Sequence, residues 1–100
     1  MKNRSRSEII SLILSSANNV EGVTLRRLMY NVYLSYSKLK RYLIILRENG
    51  MLQYSEEARY YKTTQKGVHF LQAYGKIREM IFSLENKIEY DFTSKNELNI

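Results

Sequence analysis

Apolar residues recur along this chain with two periods, one helical and one extended. Ile9, Ile10, Ile13, Leu14 and Ala17 fall at helical spacing and predict a helix over residues 5–17. Ser5 and Glu8 stand at the S-x-x-E spacing of a capping box, and Asn18 and Asn19 end the segment. Gly22-Val23-Thr24 reads as a single bridge of strand, with Thr24 also suited to cap the next helix. Residues 25–32 form a short second helix with Leu25, Leu28 and Met29 on one side and Arg26 and Arg27 on the other. Tyr33 and Leu34 make a tight turn. Ser35 then caps a third helix that runs to about Asn49, where Gly50 supplies a left-handed stop. Its inward stripe is Leu39, Leu43 and Leu46, with Tyr42 beside it. The turn of 100° per residue places Ser37, Arg41, Ile44 and Glu48 opposite, flanked by Lys38, Lys40 and Ile45. Residues 51–63 read as a hairpin: a strand over Met51, Leu52 and Tyr54, a polar turn over residues 56–59, and a strand over residues 60–63.

The last segment changes the picture from a domain to a domain with an arm. Phe70, Tyr74, Ile77, Ile81, Leu84 and Ile88 recur at spacings of 4, 3, 4, 3 and 4, an a/d seam of nearly three heptads. Thr63 or Thr64 caps this helix. At ~1.5 Å per residue, residues 64–90 reach about 40 Å, farther than a body built from residues 5–63. The far part of the seam therefore needs a partner helix, and a second copy of the chain supplies one. Gly67 suits close packing on the body and Gly75 a bend where the helix leaves it. The expected organisation is a domain over residues 5–63, a dimerisation helix over 64–91 with Ile77, Ile81, Leu84 and Ile88 at its interface, and a frayed tail over 92–100.

Composition narrows the chemistry. The 100 residues are 44% hydrophobic and 26% charged, a globular balance. Without cysteine there are no disulfides, thiolate zinc sites or thiol nucleophiles, and the single histidine, His69, excludes a multi-histidine metal centre. Glu85 and Glu89 are four apart, but without histidine partners they read as a solvated coiled-coil flank rather than a metal site. Asp91 is the sole aspartate, and no nucleophile–base–orienter set can be assembled, so neither an enzyme nor a cofactor is expected. No apolar run approaches a membrane span, and MKNRSRSEII lacks the apolar stretch of a signal peptide, so a cytoplasmic protein without membrane contact is expected. No small-molecule ligand is evident.

The net charge of +6 is unevenly placed. Residues 1–50 carry nine Lys/Arg and three Glu, whereas residues 51–100 carry seven Lys/Arg and seven Asp/Glu. The excess lies wholly in the first half, where it suits a polyanion. The order of elements agrees. A helix, a short turn and a second, basic, outward-facing helix are the helix-turn-helix arrangement, and the hairpin after it is a wing. The expected fold class is mostly α (α+β): a winged helix-turn-helix with a β-hairpin wing and a long C-terminal coiled-coil helix.

The stretches RSRSEII, LMYNVYLSYSKLKRYLIILRENGMLQY and YYKTTQKGVHFLQAY resemble small archaeal winged-helix proteins. These are predicted transcriptional regulators, related to an archaeal chromatin-associated group. The L-S-Y-S-x-L-K-x-Y-L core and the T-x-K-G-x-x-F-L-x-x-Y start of the last helix are the most specific pieces, and the likeness covers roughly residues 4–82. The resemblance implies binding of double-stranded DNA through the third helix and the wing. It also implies a nucleoid-associated homodimer held by an antiparallel coiled coil. Family members differ widely on the outer face of the third helix, so individual base contacts do not carry over.

On the residues themselves, Ser37, Lys38, Lys40 and Arg41 are the expected DNA contacts. Arg41 suits a guanine edge, and the lysines suit phosphates. Arg26, Arg27, Arg4 and Arg6 are candidate backbone clamps, with Arg59 and Lys62 on the wing. Glu56 and Glu57 at the wing tip oppose close phosphate approach. Tyr36 suits either a phosphate contact or the core. The nine tyrosines invite a base-stacking reading, but the periods place Tyr30, Tyr42, Tyr60 and Tyr74 in the core. The rival function is a protein-docking winged helix within a larger complex, for which Ile44 and Ile45 on the outer face of the third helix are suited.

Overall fold

The computed structural model describes residues 4–98, with side chains through residue 93. Its elements run α1 (Arg6–Ala17), α2 (Leu25–Val32), α3 (Tyr36–Glu48), β1 (Leu52–Ser55), β2 (Tyr60–Thr63) and α4 (Gln65–Leu98). Each helix of the body starts on the hydroxyl its sequence offers. Ser5 Oγ accepts the Glu8 N–H at 3.1 Å while the Ser5 N–H donates to Glu8 Oε1 at 2.8 Å, which completes the capping box. Thr24 accepts from the Arg27 N–H and Ser35 from the Lys38 N–H. Thr64 accepts the Gly67 N–H at the start of α4 while donating to the Gly50 carbonyl at 2.6 Å.

The capping box has a pH signature. The backbone N–H and then the hydroxyl of Ser5 hold the Glu8 carboxyl below its usual range; Arg78 and Arg4 add to this, and burial opposes it. A carboxyl lowered in the folded state stabilises above its unfolded value and loses that contribution as pH falls through the folded one. Thermal melts taken downward from about pH 5 should therefore fall more steeply for the wild type than for Glu8→Gln. Parallel curves would show that the cap does not depend on the charge.

Three helices and a hairpin enclose one core. Ile13, Leu14, Leu28, Val32 and Leu39 are its largest fully buried side chains, joined by Ala17, Val23, Leu43, Leu46 and Leu52. The strands pair antiparallel with Leu52 opposite Thr63 and Tyr54 opposite Tyr61. Val23 adds the isolated bridge, exchanging both backbone hydrogen bonds with Tyr61. Gly22 and Gly50 take positive φ, as do Tyr33 (φ 56°) and Arg59 (φ 59°). Thr63 is the one buried polar residue among the described side chains, and its hydroxyl donates to the Leu14 carbonyl at 2.6 Å.

Gly67 is where α4 sits on the body. A methyl there would lie 2.5 Å from both the Met51 carbonyl oxygen and Thr63 Cγ2, so only glycine allows this approach. Gly75 has open space around it. Beyond the body α4 runs free, and the molecule measures 67 × 28 × 21 Å.

Three particulars differ from the sequence reading. The first strand begins at Leu52 rather than Met51, because the Met51 N–H still closes the end of α3 on the Leu46 carbonyl. The last helix continues to Leu98, past residue 91, since neither proline nor glycine interrupts residues 92–98 and Thr93 donates back to the Glu89 carbonyl. Part of the expected tail, residues 99 and 100, lies outside the described residues. Tyr30 and Tyr60 are not core residues: Tyr30 is 66% exposed and Tyr60 lies on the surface of the wing. Tyr42 does pack against the core, and Tyr74 is half-buried against Phe70.

Candidate nucleic-acid interface

The outer face of α3 is built from behind. Leu39, Leu43 and Leu46 fasten one side of the helix to α1, α2 and the hairpin, which turns the other side to solvent. There Ser37, Lys38, Lys40, Arg41, Ile44, Ile45 and Glu48 are all exposed. The turn before the helix is made by Tyr33 in the left-handed conformation (φ 56°, ψ 47°), which redirects the chain between α2 and α3 without a glycine. The Arg4 guanidinium donates to the Tyr33 carbonyl at 3.4 Å and ties the N-terminal segment to that turn.

The wing is locked beside this face. The Arg47 guanidinium lies 5.3 Å from the centre of the Tyr54 ring, and Tyr54 packs on Tyr61 with ring centres 4.6 Å apart. Burial, then the neighbouring Tyr54, push the Tyr61 phenol above its usual range against the pull of Arg47, so it stays neutral at physiological pH. Lys62 Nζ donates to the Val20 carbonyl at 3.0 Å, which clamps β2 to the loop between α1 and α2. Arg59 is exposed at the wing tip beside Glu56 and Glu57. Lys40 lies over the exposed Tyr36 ring at 5.7 Å, so Tyr36 belongs to the surface and not to the core.

Of the residues expected from sequence, Ser37, Lys38, Lys40 and Arg41 thus share one open helix face. Arg26 and Arg27 are exposed on α2, Arg6 is exposed at the start of α1, and Arg4 and Lys62 are each held by a backbone carbonyl. Two features escaped that reading. Arg47 braces the wing against α3, and its place in the last turn gave no hint of an aromatic partner. Tyr30 and Tyr33 stand exposed with ring centres 6.3 Å apart, and Tyr30 lines a surface hollow with Arg26 and Arg27. The helical angle could have found Tyr30, which lies opposite Leu28 on the arginine side of α2.

Ile77, Ile81, Leu84 and Ile88 are 49–57% exposed along the free part of α4. Among the described residues no group of His, Cys, Asp or Glu could hold a metal, and no helix is long and apolar enough to cross a membrane.

Three body helices, a hairpin following the third, and an exposed basic face on that helix define a winged-helix protein. The chain belongs to the winged helix-turn-helix family, whose model matches residues 3–82. Its structure is similar to the crystal structure of Sso10a-2, a DNA-binding protein from Sulfolobus solfataricus. The two are 26% identical with a TM-score of 0.64, covering 86% of this chain and 94% of that one. Comparison with curated proteins finds no match.

Proposed function

We propose that this chain is a homodimeric double-stranded DNA-binding protein, acting in the cytoplasm on the nucleoid as a transcriptional regulator or architectural protein, with α3 in the major groove. The observation that carries the reading is the open face of α3, where Ser37, Lys40 and Arg41 project from a helix whose leucines are all buried. A groove ~12 Å wide admits one such helix. Arg41 reaches a base edge, Lys38 and Lys40 take phosphates, and Arg26, Arg27, Arg4, Arg6, Arg59 and Lys62 lie around them on α2, the N-terminal segment and the wing. The family and the DNA-binding protein of similar structure support this assignment. Residues 5–63 form the reading head, and α4 joins two heads through Ile77, Ile81, Leu84 and Ile88. Its role is binding rather than catalysis.

A salt titration of duplex binding tests the proposal. Affinity should fall steeply and linearly with the logarithm of salt concentration, because each neutralised phosphate releases counterions. The ratio between a selected site and random duplex then separates a regulator from a coat of the chromosome. Absence of any complex at low salt would overturn the reading in favour of the protein-docking one. That second reading rests on Ile44 and Ile45, which are 44% and 57% exposed on the same face. For the dimer, light scattering should return twice 11.9 kDa.

A further inference from the structure

We infer that two copies of α4 pair antiparallel in a single register, with the two-fold axis crossing between Phe82 and Ser83 and Arg78 of each copy meeting the partner's Glu85. This rests on the dimer proposed above and specifies how that dimer is assembled.

The residues that flank the exposed seam select the register. With Tyr74, Ile81 and Ile88 at a and Ile77, Leu84 and Asp91 at d, the e positions are Leu71, Arg78, Glu85 and Phe92, and the g positions are Ala73, Met80 and Lys87. In an antiparallel pair, a residues layer against d residues, and e flanks e. Centred between Phe82 and Ser83, the layers are Ile81 on the partner's Leu84, Ile77 on the partner's Ile88 and, at the two ends, Tyr74 on the partner's Asp91, each occurring twice; a phenol hydroxyl can donate to that carboxylate. The same centring puts Arg78 beside the partner's Glu85 twice, and Leu71 beside the partner's Phe92 twice.

Every neighbouring arrangement is worse by charge. A shift of one heptad in one direction sets Glu85 against its own copy, and a shift in the other sets Arg78 against its own copy. A parallel pair brings Met80 to Glu85 and Lys87 to Phe92, which leaves the charged flanks without opposite partners, and it stacks Asp91 on its own copy in the seam. Opposite charges meet in one register only, and such flanking pairs set the orientation of paired helices. Arg78 is also pre-placed for this role. Its guanidinium lies 5.8 Å from the Tyr74 ring centre, Tyr74 stacks on Phe70, and Glu8 lies within its electrostatic reach. At ~1.5 Å per residue this register sets the two Gly67 seats about 46 Å apart along the coil, and a one-heptad slip would change that distance by about 10 Å.

Charge reversal with mixing tests the register. Arg78→Glu alone would set glutamates against each other at both flanks, and Glu85→Arg alone would do the same with arginines. Each variant should dimerise at least tenfold more weakly than wild type in sedimentation equilibrium, with helix content by circular dichroism unchanged. Mixed in equal amounts, the two variants restore both opposite-charge pairs and should associate within about threefold of the wild-type affinity. Because each variant carries its own local losses into the mixture, recovery reports only on contacts between copies. A dimeric wild type whose single variants keep full affinity, or whose mixture stays weak, would overturn the register and leave the dimer standing. A wild type that remains at 11.9 kDa at high concentration would overturn both.

Discussion

Replacing Lys40 and Arg41 together by alanine should weaken duplex binding by roughly 100-fold while leaving the fold intact. Both side chains are exposed, and neither donates to a backbone carbonyl of its own protein as Arg4 and Lys62 do. A guanidinium that meets a guanine edge discriminates by ~1–3 kcal/mol, and a lysine on a phosphate contributes about one unit of salt slope. The double variant should therefore lose affinity at low salt and show a shallower salt dependence. The loss of Arg41 alone should flatten the preference among duplex sequences more than it lowers affinity for random DNA. The unfolding midpoint should move little, since exposed substitutions typically change stability by within about 0.5 kcal/mol. Fluorescence anisotropy at several salt concentrations reads both quantities. Unchanged affinity in the double variant would remove α3 from the interface.

The largest stability effect should come from Leu39→Ala. Leu39 is fully buried, one turn inside α3, and lies in the same cluster as Leu14, Leu28 and Val32. Truncating such a leucine removes its transfer free energy and leaves a cavity that packed neighbours fill only in part, at a cost of about 2–5 kcal/mol. For a chain of this size that is a large fraction of the total. Urea unfolding should show the midpoint falling at unchanged slope. DNA binding measured well below the new midpoint should persist, because the polar face of the same helix is untouched. A loss below about 1 kcal/mol would mean that the site collapses around the gap.

The order of elements was open to reading because local signals and tertiary needs agree in this chain. Ser5, Thr24, Ser35 and Thr64 are caps by chemistry and act as caps in the structure. Leu39, Leu43 and Leu46 are buried as their spacing requires. The bridge at Val23 and the close approach at Gly67 were legible for the same reason. The misplaced residues were those whose identity suits two environments. Tyrosine packs well and tolerates water, so Tyr30 and Tyr60 carry no signal of their own. Only the helical angle at Tyr30 speaks against burial. The contact of Arg47 with Tyr54 depends on how the hairpin folds back on α3, which no local pattern encodes. The face of α3 was legible as a surface, since its opposite stripe is so clearly apolar.

The hydroxyl of Thr63 reaches the carbonyl of Leu14 across 49 residues of sequence, and Leu52 closes the same core. During synthesis, then, the first three helices emerge from the ribosome well before the strand that completes them. Until that strand arrives, the three helices can pack on one another, but the side of the core that Leu52 and Thr63 close stays open to water. A fragment cut after Gly50 should therefore keep the whole of α3 and unfold at lower urea than one that extends through the second strand.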